Sequence, residues 1–508
     1  MRIVINAMIK HTFEADLCPH CIGDEFSFPT RTALSESSDT DWNQRVFPLA
    51  QTNIPLVYGH RQTFNYNTIT TDLKWSNDPL NIRRVESYIG NLMLLMRNKV
   101  LLEGGTLSNT KIIWFYPSSM NTARRNDYQN VWASAYKKYF GNNDGNICAT
   151  LESVAPYEYF RQMTPAASRM VSIDIGGGTT DVVIAERGNI MYTTSFRFAA
   201  NTIFGDGYTQ NGALNGLVAH FIPQFRTLLE KNNLSELLAI LNSPQASMHS
   251  ADLASFFFSL KNDDEAKKKG VDGLLDWNTM LGQDESFKVI FLLFYTAIIY
   301  HVAFIMKGKG LQPPRHIAFS GNGAKVVSVL SPSATTLADF TKDVFCRVYG
   351  LDQYDADGLQ IILTDSPKVA TCKGGLNIVQ AGNVGLGIGE NVILKSGLSN
   401  PDFYRAEDTY ENVNNDEKSK TLQDVREFLS FTLGGQSKFS VKDNFGIERQ
   451  TLDEAFATCN RDLGTFFDNG LEIKLKENAH TDPIEETMFF YPIVGMLHEI
   501  CDSINSNK

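Results

Sequence analysis

Apolar and polar positions alternate with a changing period along this chain, and the changes mark its elements. Residues 1–30 show no regular period. From about 31 to 167, strands interleaved with helices are predicted. Ile112-Ile-Trp-Phe-Tyr116 is an apolar run stopped by Pro117-Ser-Ser, and a helical pattern runs from about Thr122 to Tyr139. Gly141-Asn-Asn-Asp-Gly145 then turns the chain into a short strand leading to Glu152. A strand–helix–strand unit of this kind builds a parallel α/β sheet. Val171–Ile175 and Asp181–Ala185 read as strands with glycines between them. The turn Glu186-Arg-Gly-Asn189 leads to a third strand, Ile190–Phe198, so this part opens an antiparallel meander. From about 212 to 306 the pattern is mostly helical, with a charged break at Asp263 to Lys269. His316–Ser320 is a strand closed by Gly321-Asn322-Gly323 and continued by a helix, and Leu359–Leu363 is a last core strand.

Val289 to Met306 is nearly all apolar, broken by Tyr295, Thr296, Tyr300 and His301. Its length sits at the lower limit for a membrane span. The reading adopted is a helix buried on all sides of a large domain. Residues 395–421 are rich in Asn, Asp and Glu and carry Pro401, the composition of a linker or mobile loop. Beyond it, Thr451-x-x-Glu454 predicts a helix start through a capping box. Asp482-Pro483-Ile-Glu485 predicts another, with Pro492 kinking the helix it opens. No internal repeat is found.

Composition narrows the function classes. The 508 residues suffice for two to four domains, and 43% apolar with 20% charged residues is ordinary for a globular protein with a large core. A net charge of −11 argues against nucleic acid as a partner. The seven cysteines are odd in number and mostly isolated, which disfavours a disulfide framework and fits a reducing, cytoplasmic compartment. The apolar stretch at the N-terminus is too short for a signal peptide. Cys18-Pro-His-Cys21 has the spacing of a thiol-oxidase pair, but the next residues, Ile22-Gly-Asp-Glu-Phe-Ser27, do not read as a helix. A zinc half-site with His11 or His20 lacks a second cysteine pair, so two free thiols are the expectation.

The chemistry concentrates in Asp174-Ile-Gly-Gly-Gly-Thr-Thr-Asp181. Three glycines between strands let the backbone approach a ligand closely, and their amides can form an anion-binding concavity. Thr179 and Thr180 add hydroxyl donors. Asp174, at a strand end, is placed to hold Mg²⁺ through water, because that ion prefers oxygen ligands and keeps most of its hydration.

This segment resembles the second phosphate motif of the actin-like ATPases. Phe204-Gly-Asp-Gly-Tyr208 resembles the glycine turn after the third strand in heat-shock-protein-70-type chaperones. Thr150-Leu-Glu152-Ser-Val-Ala155 resembles that branch's first connecting motif, and Tyr116-Pro-Ser-Ser119 with Arg124 and Arg125 the strand and helix before it. Phe28-Pro-Thr-Arg-Thr-Ala33 resembles an early Thr-Pro-Ser segment, and Tyr58-Gly59 with Asp72-Leu-Lys74 the stretch that supplies a cleft lysine. Phe319-Ser-Gly-Asn-Gly-Ala-Lys325 resembles the adenosine motif. Ser366-Pro-Lys-Val-Ala370 with Lys373-Gly-Gly375 resembles the second connecting motif. The matches keep the family's order from about residue 28 to 380.

The resemblance implies roles. Asp174 would hold the Mg²⁺ shell, while Gly176, Gly177, Gly178 and Thr179, with Thr180 and Asp181, would grip the β- and γ-phosphates of ATP or ADP. Glu152 would position or activate the attacking water, and Lys74 would steady the γ-phosphate. Gly205, Gly321, Asn322 and Gly323 would line the nucleotide, with Lys325 beside the base. The implied fold is α/β: a two-lobed actin-like ATPase with duplicated ribonuclease-H-like lobes. Lobe I would be 1–167, lobe II 168–365, a connecting helix 366–394, and a linker with a helical C-terminal extension 395–508.

The family's first phosphate hairpin, Asp-x-Gly and then Thr at the start of the chain, is not found. The best stand-in, Ile3-Val-Ile-Asn6-Ala-Met, has Asn6 in the Asp position. A missing first segment and a degenerate hairpin both remain open. No peptide-binding β-sandwich is recognisable, and Lys267-Lys-Lys269 reads as well as a solvated helix face as it does an adenine-holding helix. The leading expectation is a chaperone-like ATP-binding ATPase that switches a protein partner and has no membrane span. The alternatives are a scaffold that has lost hydrolysis and an actin-like filament protein.

Overall fold

The computed structural model describes residues 34–36, 68–70, 73–74, 78–118, 120–142, 144–164, 167–205, 214–242, 250–355, 358–364, 367–380, 389–397, 400–477 and 480–506. These residues fold as a mixed α/β protein in two compact units. The first unit holds residues 1–115, 121–149 and 221–277. The second holds 116–120, 150–220 and 278–508. Residues 221–277 group with the first unit.

In the first unit, β1 (Leu34–Glu36) pairs antiparallel with β2 (Thr68–Thr70). Helix α1 (Asn81–Leu102) precedes β3 (Ile112–Tyr116), and α2 (Thr122–Tyr139) precedes β4 (Ile147–Leu151), the partner of β3. Asn121 caps α2 by accepting from the Arg124 amide at 2.8 Å. Val85, Ile89 and Met93 of α1 meet Val131, Ala135 and Tyr136 of α2 over Ile112, forming one apolar core. Among the described residues this unit shows no sheet larger than two strands. The charged segment Asp263 to Lys269 is not a break. Asp264–Lys269 is a short helix, capped by Asp263 and ended by left-handed Gly270, and its three lysines lie at the negative end of its dipole.

The second unit is built on a six-stranded sheet. After α3 (Val154–Met163) come β5 (Arg169–Ile175), β6 (Thr180–Glu186) and β7 (Asn189–Phe196), an antiparallel meander. Arg187 and Gly188 both have positive φ, as the two-residue turn between β6 and β7 requires. Next come α4 (Ala200–Phe204), α5 (Glu285–Gly308), β8 (His316–Ser320), α6 (Ala334–Tyr349), β9 (Gln360–Leu363), α7 (Pro367–Gln380) and β10 (Glu390–Asn391). The strand order is β10-β7-β6-β5-β8-β9, with β8 parallel to β5, β9 to β8 and β10 to β7. Central strand β5 is buried on both faces from Met170 to Ile175, so its two polar residues there, Ser172 and Asp174, are buried with the apolar ones.

Helix α5 is long and apolar enough to cross a membrane, yet its apolar stretch, Val289 to Met306, is buried inside the protein. Phe294 stacks on Phe198 from the end of the meander, and His301 lies edge-on to Phe196. Tyr300 meets Phe428 and Phe431 of α8 (Asn415–Thr432). Helices α9 (Arg449–Asn460) and α11 (Phe490–Ser506) also pack on α5, and α10 (Leu463–Glu477) packs on α11. The C-terminal helices therefore complete the core of the sheet unit.

Three sequence expectations in this part give way. Residues 400–421 are a packed connection, not a linker. Tyr404 and Tyr410 are buried, the Tyr404 hydroxyl bonds Glu417, and the Tyr410 amide and the Asp408 carbonyl pair with the Asp482 carbonyl and the Ile484 amide. Helix α9 starts at Arg449, two residues before the Thr451 box, because left-handed Gly446 ends the preceding short helix and Arg449–Asp453 and Gln450–Glu454 pairs support an earlier first turn. Helix α11 starts at Phe490 because Asp482 and Ile484 are held in the pairing with 408–410. Pro492 falls in its first turn, where no amide is needed, so it causes no kink.

Candidate functional site

The glycine hairpin joins β5 to β6 as expected. The Gly176 amide closes it by donating to the Thr179 carbonyl at 2.9 Å. The carbonyls of Gly176 and Gly177 accept from the Ala200 and Asn201 amides of α4, at 3.2 and 2.8 Å. Helix α4 thus fastens the loop from outside. Gly177 and Gly178 are exposed, and among the described residues their amides bond no other backbone group. Those are the donors an anion would meet.

Beneath the loop lies a polar row. Asp174 of β5 stands directly opposite Asp181 of β6, Asp181 opposite Ser195 of β7, and Asp174 beside Ser320 of β8. Residues paired in this way share one face of the sheet. All four are buried, Asp174 at 5% and Asp181 at 2% exposure. Two carboxylates directly opposite each other repel unless a cation or a proton stands near them. The Ser320 hydroxyl is fully buried and has no hydrogen-bond partner among the described residues. Hard oxygen donors and an orphaned hydroxyl are a chemistry that fits a hydrated Mg²⁺.

Gly321 roofs Asp174. It has φ +77°, and a Cβ there would stand 2.2 Å from the Asp174 Oδ1 and from the Ile175 carbonyl. Gly323 approaches the Gly176 carbonyl almost as closely. These two glycines are required by the chain's own contacts, whatever else lies near them. Asn322 and Lys325 are half-buried on the same turn. Thr179 is buried beside the row. Thr180 gives its hydroxyl to the Phe198 carbonyl at 2.6 Å, which fastens the meander. Gly205 ends α4, and its carbonyl accepts from Asn215 Nδ2 at 3.1 Å.

Glu152 lies between β4 and α3, half-buried, with its amide donating to the Tyr116 carbonyl at 2.9 Å. Asp174, Asp181, the hairpin, Gly321–Lys325 and Glu152 all belong to the second unit, whereas Lys74 lies in the first, in a turn after Leu73. Asn6, Cys18, Cys21, His11, His20, Phe28–Ala33, Tyr58-Gly59, Asp72, Asp206–Tyr208 and Ser366 lie outside the described residues. Among the described residues no group of three or more His, Cys, Asp and Glu side chains is arranged to hold a metal.

Sequence reasoning missed one contact. Thr371 of α7 donates its hydroxyl to the Asp174 Oδ2 at 3.3 Å, from 197 positions along the chain. It falls in the gap between the two halves of the second connecting motif.

No protein-family profile and no curated protein matches the chain. Among solved structures it is similar to the ethanolamine utilization protein EutJ from Carboxydothermus hydrogenoformans, 12% identical, covering 60% of this chain and 78% of that one at a TM-score of 0.28. A likeness this slight leaves the fold to be argued from the strand order itself.

Proposed function

We propose that the chain binds Mg-ATP at the carboxyl end of β5 and hydrolyses it to switch the binding of a protein partner, as a heat-shock-protein-70-like member of the actin-like ATPases. The observation that carries this reading is the buried pair Asp174 and Asp181 beneath the exposed Gly177-Gly178 amides. Location supports it too. Strand β5 pairs with β6 on one side and with β8, reached by a long crossover, on the other. Ligands of α/β sheets bind outside the carboxyl ends of strands at such a reversal of strand order. The meander flanked by a parallel pair is also the order expected of one ribonuclease-H-like lobe.

Phosphoryl transfer to water asks for positioning and charge neutralisation more than covalent catalysis. In this reading the Gly177 and Gly178 amides bind phosphate oxygens, and Asp174 with Asp181 orients the water shell of Mg²⁺. Glu152, at the start of α3, orients the attacking water. The ion supplies charge neutralisation on the phosphates.

A second reading, a scaffold that keeps the fold without hydrolysis, also has support. Packing against Asp174 and Ile175 accounts for Gly321, and the Thr180 hydroxyl is committed to Phe198. Titration calorimetry with Mg-ATP on the wild type and on Asp174→Ala tests the site, and phosphate release from ATP by the wild type separates an ATPase from a scaffold that binds without hydrolysis. Wild-type binding weakened at least tenfold by the substitution is the expected result. A folded wild-type chain that releases no heat with Mg-ATP would overturn the ATPase and leave the scaffold.

A further inference from the structure

Asp174 is held from two sides. Its Oδ1 lies against the Gly321 backbone, so closely that no side chain fits there. Its Oδ2 accepts from the Thr371 hydroxyl at 3.3 Å. The carboxylate plane is therefore fixed by β8's turn and by α7 together. A hydroxyl donating to a carboxylate favours its charged form and fixes the direction of its lone pairs.

Thr371 is itself placed by an unusually close helix crossing. One turn along α7, a Cβ on Gly374 would stand 1.7 Å from the Ala155 carbonyl of α3. The two backbones touch there, and any side chain would part them. Thr371 and Gly374 are three residues apart, so they share a face of α7. The crossing that seats Gly374 on α3 thus also sets the distance from Thr371 to Asp174. Glu152 lies three residues before Ala155, so the same crossing ties α7 to the segment that carries it.

We propose that Thr371 is a positioning residue for Asp174, held in place by the Gly374–Ala155 crossing, and that it tunes the affinity of the site for Mg²⁺. This rests on the Mg-ATP reading of the same site. A merely structural role for Thr371 would change stability and leave the metal dependence alone, which gives the test its readout.

The full chain is titrated with ATP at a series of Mg²⁺ concentrations and again with EDTA, for the wild type, Thr371→Val, Thr371→Ser and Gly374→Ala, with thermal midpoints recorded alongside. Thr371→Val is expected to raise the Mg²⁺ concentration for half-maximal binding about tenfold, while metal-free ATP affinity stays within about twofold. Thr371→Ser keeps the hydroxyl and is expected within about twofold of the wild type. Gly374→Ala displaces α7 and is expected to reproduce the Thr371→Val shift. Wild-type Mg²⁺ dependence in a folded Thr371→Val overturns the proposal while leaving ATP binding intact. A folded Gly374→Ala without the shift overturns the role of the crossing. A wild type that does not bind Mg-ATP overturns the functional reading, and this inference with it.

Discussion

His301 offers the sharpest test of how the second unit is packed. Its ring lies in an apolar box with Phe196 edge-on at 5.1 Å, Phe490 edge-on at 5.1 Å and Phe489 stacked at 6.1 Å. Neither ring nitrogen has a hydrogen-bond partner among the described residues. Burial lowers its pKa from 6.5 to about 3. Below pH 6.5 the unfolded chain takes up a proton that the folded chain refuses until about pH 3, so stability falls as the pH drops through that window. This group alone costs about 2 kcal/mol between pH 8 and pH 5, and about 5 kcal/mol once the pH is below 3. His301→Leu, close in volume and apolar, should remove that slope. It should also stabilise the unit by about 1–2 kcal/mol at pH 8, since an unsatisfied N–H no longer lies buried. Tryptophan fluorescence is the wrong probe, because the described tryptophans, Trp114, Trp132 and Trp277, belong to the first unit. Hydrogen exchange across Glu285–Gly308, corrected for the intrinsic pH dependence of exchange, reads the right element. Equal losses of protection between pH 8 and pH 5 in the wild type and in His301→Leu would refute a neutral, buried imidazole.

Substitutions at Lys474, Glu486 and Thr180 probe the packing of the second unit. Lys474 and Glu486 form an ion pair at 2.6 Å with side chains 6% and 3% exposed, and Glu486 also accepts from the Arg197 amide at 2.7 Å. Lys474→Met should cost about 3–5 kcal/mol by stranding the carboxylate, and adding Glu486→Leu should return the chain to within about 2 kcal/mol of wild type. Denaturant unfolding checks both, and a double variant no better than the single would sink the reasoning. Thr180→Val should cost about 1–2 kcal/mol through the lost bond to Phe198, with Thr180→Ser near wild type. Faster exchange of the β5–β6 amides in Thr180→Val alone is the expected signature.

Much of the fold is legible where one local rule dominates. Ile112–Tyr116, Thr122–Tyr139 and His316–Ser320 match the elements found, because apolar runs bounded by Pro, Asn or Gly leave few alternatives. The pairing of Asp174 with Asp181 is also local, since closing a strand pair around Gly176–Thr179 sets those two opposite. What failed was capping logic at Thr451 and Asp482. There, hydrogen bonds to residues such as Glu285 and Asp408 decided where the chain could turn helical. Polar composition misled within 395–421 because Glu417 accepts from the buried Tyr404, and the Gly397 amide is held by Asp424 just beyond that range. Thr371 was out of reach for a different reason. Its partner lies across the fold, and nothing in its neighbourhood marks a threonine as a ligand for a carboxylate.

The burial of α5 has a consequence for how the chain is made. Glu285–Gly308 leaves the ribosome as a segment long and apolar enough for a membrane span, and part of what covers it comes much later. Phe428 and Phe431 emerge more than a hundred residues later, and Phe489 and Phe490, which close the box around His301, about 180 later. At roughly 5–20 residues per second that is an interval of about ten to forty seconds. Throughout it the nascent protein displays a greasy rod without the part of its cover that the C-terminal helices supply. Synthesis of the last hundred residues is thus the step that makes the sheet unit safe from aggregation, and a chain stopped near residue 395 would carry its most hydrophobic surface into water.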